Sequence, residues 1–89
     1  MIHRSHFVIR NGLSRPLTLN IEPEGACFPL DKGEEVSVTD VFTSAPVTVK
    51  LTESGEGGPL VSIWPGDGEV TVEKDGVAVF DLIQKGADL

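Results

Sequence analysis

The chain has 89 residues, a mass of 9.5 kDa and a formal charge of −7, and 39% of its residues are hydrophobic. This length predicts one domain, spanning residues 1–89, and it leaves too little chain for the two walls of a deep catalytic cleft. Ten glycines and six prolines indicate many turns and argue against a helical bundle or a long coiled coil. We therefore expect a small domain with one modest core that is not an enzyme.

The charge is distributed unevenly along the sequence. The first fifteen residues contain Arg4, Arg10 and Arg15 and no acidic residue, whereas the rest contains four lysines against all fourteen acidic residues, which leaves −10. An acidic surface repels phosphate groups, so nucleic acids and anionic membranes are disfavoured as partners. A basic partner is electrostatically easier to bind.

Cysteine usage and hydropathy bear on the compartment. Cys27 is the single cysteine, so no intramolecular disulfide can form, although small secreted domains usually depend on such bonds. No apolar run approaches the ~20 residues of a membrane span, and the N-terminal residues lack the apolar core of a signal peptide. The expected compartment is the cytoplasm.

Apolar and polar residues alternate with the period of two that is typical of β-strands. Pro29 cannot donate a ladder hydrogen bond, so the strand that contains it is expected at a sheet edge. Asp75-Gly76 is typical of a type I′ hairpin turn. We expect a mobile loop over Glu53–Pro59 and a frayed tail over 84–89. The predicted strands are His6–Arg10, Pro16–Glu22, Ala26–Leu30, Glu35–Val41, Val47–Thr52, Leu60–Trp64, Glu69–Lys74 and Val77–Leu82.

Short strands at roughly 8–12-residue spacing are the pattern of a β-sandwich or a small barrel. The predicted fold class is all-β, a single small antiparallel β-sandwich or partly open barrel of seven to eight strands. The residues expected in its core are Leu17, Leu19, Ile21, Val36, Val38, Val49, Val70, Val72 and Val79.

Four segments of the sequence carry a resemblance to a known group of proteins. Phe7–Asn11 reads as a strand that ends in Asn, and Pro16–Gly25 as a Pro-Leu-x-Leu-x-x-Glu-Pro-x-Gly strand and turn. Leu30–Glu34 gives a Leu-x-x-Gly-Glu turn, and Val61–Trp64 before a valine-rich hairpin is similar too. These segments resemble a loose group of short, uncharacterised bacterial proteins. The resemblance implies a β-sandwich of bacterial origin, and it assigns no activity, cofactor or catalytic residue.

Candidate reactive and metal-binding residues are few. As a nucleophile, Cys27 would need His3 or His6 as a base. A copper site formed by these three residues would usually need an axial methionine, and the only one is Met1. A zinc site would lack a fourth strong ligand. The acidic residues around the last hairpin lack the spacing of a calcium loop. Glu22 and Glu24 lack the apolar surroundings that a carboxylate pair needs for acid–base catalysis. We expect no catalytic residue, no metal and no cofactor.

Trp64 is the most informative single residue, and two interpretations of it stay open. A lone tryptophan in a chain without tyrosine is typical of a sandwich core. If Val61 and Ile63 face inward, however, alternation points Trp64 outward at a strand end, beside the Pro65-Gly66 turn. There the exposed ring would contact a partner.

These features predict a non-enzymatic protein-interaction or assembly module. Its partner would be another protein or a second copy of the chain, with Trp64, Arg4, Arg10 and Arg15 as contact residues. The three arginines would form a basic rim if the first strand lies at a sheet edge. The alternative is a small-ligand or carbohydrate-binding module in which Trp64 and Phe42 stack on the ligand.

Overall fold

A computed structural model of the chain describes residues 1–54 and 58–82. It contains two four-stranded sheets that do not close into a barrel, so the predicted all-β class is confirmed. The strands are β1 (His3–Arg10), β2 (Leu17–Ile21), β3 (Ala26–Leu30), β4 (Glu35–Phe42), β5 (Thr48–Ser54), β6 (Gly58–Trp64), β7 (Glu69–Lys74) and β8 (Val77–Ala78).

The strand order mixes local and distant pairings. Sheet A has the order β1-β4-β7-β8, and sheet B has the order β3-β2-β6-β5. Every neighbouring pair is antiparallel except β2 and β6, which are parallel. Pro29 lies in β3 at the edge of sheet B, as predicted, and Asp75 and Gly76 both have positive φ, as a type I′ turn requires.

The core lies between the sheets and consists of aliphatic side chains from alternate strand positions. Seven of the nine predicted core residues are buried, and Val70 is half-buried. Val49 is a wrong prediction, because its side chain is 44% exposed. Its cross-strand partner Ile63 is fully buried, but the core spans β3, β2 and β6 and ends before the edge strand β5. The buried core residues are Leu17, Leu19, Ile21, Leu30, Val36, Val38, Val61, Ile63, Val72 and Val79.

Several strand boundaries differ from the sequence prediction, and β1, for example, begins at His3 instead of His6. The eighth strand stops at Ala78, and residues 79–82 form one helical turn instead of continuing as strand. The predicted loop over Glu53–Pro59 is shorter than expected, since β5 extends to Ser54 and β6 begins at Gly58. The centre of that loop, 55–57, and the tail 84–89 lie outside the described residues. No helix in the described ranges is long and apolar enough to cross a membrane.

Asn11 joins the β1–β2 and β3–β4 connections at one end of the molecule. Its side chain is buried and donates through Nδ2 to the carbonyl oxygens of Arg15 (2.9 Å) and Leu30 (2.8 Å). Its Oδ1 accepts a hydrogen bond from the amide of Leu13 at 2.8 Å, and its own amide donates to the carbonyl of Glu34. The sequence predicted Asn11 only as a strand terminator.

The opposite end is held by two aspartates. Asp67 accepts hydrogen bonds from the amides of Thr43 (3.0 Å) and Ser44 (2.8 Å), which joins the β6–β7 connection to the β4–β5 connection. Asp40 is buried at the end of β4, and its Oδ2 accepts from the amide of Val47 at 2.8 Å. These hydrogen bonds hold the two connections against each other and against the end of β4.

Candidate interaction surfaces

The structure separates the residues that could have formed a metal or thiol site. Cys27 is exposed on β3 of sheet B, and its Sγ donates to Oδ1 of Asn20 at 2.8 Å. His3 and His6 lie on β1 of sheet A, where His3 stacks on Phe42 with ring centroids 5.3 Å apart. Within residues 1–54 and 58–82 no group of three His, Cys, Asp or Glu side chains could hold a metal ion, and no pocket is found.

Strand β1 forms one edge of sheet A, as the basic-rim hypothesis requires. It is eight residues long and pairs only with β4, so its other side has unpaired backbone groups. Arg4 and Arg10 share the outer face of the sheet, because Phe7 and Ile9 at the intervening positions are half-buried towards the core.

The three arginines have different surroundings. Arg10 donates through Nε to Glu35 at 2.8 Å and forms an ion pair with it, so its charge is already neutralised within the molecule. Arg15 lies in the β1–β2 connection, away from the strand. Neither Arg4 nor Arg15 has an ion-pair partner among the residues that the structure describes. Arg4 is thus the uncompensated arginine on the strand itself.

Acidic residues follow a second line on the same outer face of sheet A. Cross-strand registers place Arg4, Val41 and Glu69 in one row across β1, β4 and β7. The row four residues further along β1 contains Val8, Ser37 and Glu73. The outer face of sheet A is therefore basic along β1 and acidic along β7, with uncharged side chains along most of β4 between them.

Glu69 and Glu73 were not predicted as site residues. They lie four positions apart on β7, so the sequence itself places them on the same face of the strand. Their position opposite Arg4 depends on the pairing of β4 with both β1 and β7. That pairing joins segments that are far apart in sequence, so no local pattern reveals it.

An ion pair holds one end of β7, and two hydrogen bonds hold the connection at its other end. Nζ of Lys74 lies 3.0 Å from Oε2 of Glu34, which connects the end of β7 to the β3–β4 turn. Hydrogen bonds from the Asp31 amide and from Lys74 lower the pKa of Glu34, and the Glu34 carboxylate raises the pKa of Lys74. At the other end, the amides of Thr43 and Ser44 lower the pKa of Asp67. Both contacts favour the ionised groups and hold β7 in place beside β4.

Trp64 ends strand β6 on the outer face of sheet B. Its side chain is 45% exposed, whereas the preceding Ile63 is fully buried, so the core interpretation is wrong and the alternation argument is correct. The register places a polar row beside it, formed by Lys50, Ser62, Asn20 and Cys27 across all four strands. Cys27 also donates through Sγ to the carbonyl oxygen of Gly25 at 3.8 Å, and the described residues provide no hydrogen-bond partner for the side chains of Lys50 and Ser62.

Trp64 and Phe42 do not form a common stacking site. Phe42 lies on the same face of β4 as the buried Val38, and its ring is covered by His3. Trp64 faces away from the core on the other sheet. A ligand stacked on one ring would not reach the other across the sandwich.

Comparison with models of protein families, with curated proteins and with solved structures finds no match for this chain. The functional argument consequently depends on the chain's own surfaces.

Proposed function

We propose that this protein is a non-enzymatic interaction module that associates with a second copy of itself or with another protein through the region around β1. The observation that carries the proposal is the position of β1: a long edge strand with an unneutralised Arg4 in a molecule of charge −7. Its unpaired backbone and its basic side chains are both accessible. The single cysteine supports a cytoplasmic location as part of the same proposal.

Electrostatics and hydrogen bonding both favour this region as the contact. Exposed strand edges can pair with another chain through main-chain hydrogen bonds. A basic strand on an acidic body also gives attraction between unlike regions, which raises association rates and selects orientation. Because exposed charges are screened at high salt, such an association would weaken as ionic strength rises.

Sedimentation velocity from about 0.05 M to about 1 M salt tests the proposal, since the screening length falls from more than 10 Å to about 3 Å over this range. We expect the parent to associate at low salt and a variant with Arg4, Arg10 and Arg15 changed to Gln to associate less. A variant with Lys32 and Lys50 changed to Gln is the control for loss of positive charge elsewhere.

Equal loss in the two variants would contradict a specific role of β1. If the parent does not associate with itself, affinity capture compares the parent with the arginine variant against basic and acidic protein fractions. The proposal fails if neither fraction binds the parent, or if the arginine variant retains the same partners as the parent.

A second candidate function is saccharide binding on the outer face of sheet B, favoured by Trp64 beside its polar row. Sugars bind proteins through stacking on an exposed ring and through hydrogen bonds to a few side chains. Titration with oligosaccharides would be followed by the emission of Trp64, the single tryptophan. A shift that is lost in Asn20→Ala but retained in Thr39→Ala on the other sheet would support this function, and a constant emission would exclude it.

A further inference from the structure

We infer that the outer face of sheet A is self-complementary, and that two copies of the chain stack on it about a two-fold axis parallel to the strands. Arg4 of one copy then faces Glu69 of the other, and the symmetry repeats the contact. This inference rests on the proposed function and specifies its partner as a second copy.

Arg4 and Glu69 lie in one row but are not paired with each other within the molecule. Arg4 and Glu69 are each paired with Val41, on opposite sides of β4. They are therefore separated by two strand spacings, about 9.6 Å. Neither side chain has an ion-pair partner within the described part of the chain, so both charges are available to a second copy.

A two-fold axis over β4 brings the unlike charges together. Rotation about an axis parallel to the strands exchanges the two sides of the face, so the β1 side of one copy lies over the β7 side of the other. The position along the strand is unchanged by this rotation. The row that contains Arg4 and Glu69 therefore meets itself with its two ends exchanged, and it forms two equivalent Arg–Glu contacts.

The centre of the face permits close approach. Between the charged lines, β4 presents Ser37, Thr39 and Val41, and β7 presents Thr71. All four are short side chains without a charge, and the neighbouring Val8 on β1 is exposed. Stacked sheets are typically about 10 Å apart, a distance that short side chains can fill.

The distribution of charge selects a second copy as the occupant. A uniformly acidic partner would be repelled by Glu69 and Glu73, and a uniformly basic one by Arg4. A partner that carries both signs with the same spacing is attracted along both lines, and a copy of this chain has that arrangement. The contact involves one face of the three strands β1, β4 and β7, an area typical of small, transient interfaces.

Reversing charges on the two sides tests the inference directly. Arg4→Glu and Glu69→Arg each place like charges opposite one another in a symmetric pair, so each variant alone should associate at least about tenfold more weakly than the parent. An equimolar mixture of the two has unlike charges at both contacts. Sedimentation equilibrium should then show a heterodimer of roughly parental affinity.

Two further variants control for net charge. Lys32→Glu and Glu24→Arg have the same net charges as the two test variants, but they lie in connections outside the face. Alone or mixed, they should associate like the parent. Circular dichroism checks that all four variants are folded, which is expected because the substituted residues are exposed.

The outcomes separate this inference from the proposed function. If the parent associates and the test variants behave like their controls, another surface mediates association, and the inference is wrong while the interaction module stands. If the mixture of Arg4→Glu and Glu69→Arg fails to restore association, the Arg4–Glu69 contact is wrong. A parent that is monomeric up to about 1 mM, the weak limit of specific association, excludes the self-complementary face.

Discussion

Two leucines of sheet B have opposite surroundings although both lie on its core-facing side. Leu19 is in β2 and is fully buried, whereas Leu51 is in the edge strand β5 and is 76% exposed. Leu51 is paired with Val61, which is buried. The difference therefore follows from the position of the strand within the sheet, because β5 lies beyond the region that sheet A covers.

Substitution of these leucines gives matched measurements of burial. We expect Leu19→Ala to lower the free energy of unfolding by about 2–5 kcal/mol, because it removes buried methyl groups and leaves a cavity. Leu51→Ala should change it by less than about 0.5 kcal/mol. Urea denaturation of both variants measures the two values, and similar losses would contradict the assigned edge of the core.

Alternation predicted the direction of most side chains but not their degree of burial. It placed Leu19 inside correctly, and it also placed Val49 inside, which is wrong because the core does not reach β5. Trp64 shows the converse case: residue type favours a core position, while alternation with Ile63 correctly places it outside. Asn11 was missed as a buried residue, since its partners Arg15, Leu30 and Glu34 come together only in the fold.

Among the elements, the β6–β7 connection is the most tightly constrained. A Cβ atom on Gly68 would lie 1.7 Å from the carbonyl oxygen of Val41, and one on Gly66 would lie 1.9 Å from that of Ala45. Both contacts are with backbone atoms of β4 and the β4–β5 connection, which cannot move aside as a flexible side chain can. Pro65-Gly66 was predicted as a turn, but the approach of another connection to it depends on tertiary structure.

Gly68→Ala tests this close approach. The added methyl group should force the two connections apart and lower the free energy of unfolding by about 1–3 kcal/mol or more. Gly12→Ala is the control, because a Cβ atom there meets nothing within 4 Å. Thermal unfolding of both variants measures the effect, and equal midpoints would show that the connections can separate without cost.

Asp67 makes the same region sensitive to acid. Amide donors hold the pKa of its carboxyl group below the ordinary value of 3.8, so the ionised form stabilises the folded state. This contribution is fully present above the ordinary pKa, and it is lost as the pH falls through the lower pKa of the folded state. The free energy of unfolding should therefore decrease below about pH 4.

Asp67→Asn should reduce this decrease, because the amide side chain does not titrate. Chemical denaturation at a series of pH values from about 6 to about 2 measures the slope for parent and variant. Asp31→Asn serves as the control, since the side chain of Asp31 accepts no hydrogen bond from the described residues. Identical slopes for Asp67→Asn and the parent would show that the contact does not stabilise the fold.

The pairing of strands marks the limit of sequence-based prediction at the element scale. Seven of the eight strands could be located by alternation, and the hairpin at Asp75-Gly76 could be assigned to a turn type. The parallel pairing of β2 with β6 could not be predicted, because the two strands are separated by three other strands in sequence. The outer face of sheet A has the same limit. Its basic side follows from β1 alone, but the position of Glu69 on that face depends on the pairing of β4 with both β1 and β7.

At the scale of the whole molecule, the two outer faces of the sandwich differ in chemistry. The outer face of sheet A has unlike charges on opposite sides of a neutral centre. The outer face of sheet B has Trp64 at the end of a polar row. Since the faces point in opposite directions, occupancy of one leaves the other in solvent, and the two candidate functions can be measured separately.

Trp64 is a reporter for this distinction, because the chain contains one tryptophan and no tyrosine. If two copies stack on sheet A, its emission maximum should stay constant while the sedimentation coefficient rises with concentration. Burial of a half-exposed indole in an interface would instead shift the emission to shorter wavelength. A Trp64→Phe variant should associate as the parent does. A concentration-dependent shift, together with weaker association of that variant, would place the contact on sheet B and contradict the sheet A interface.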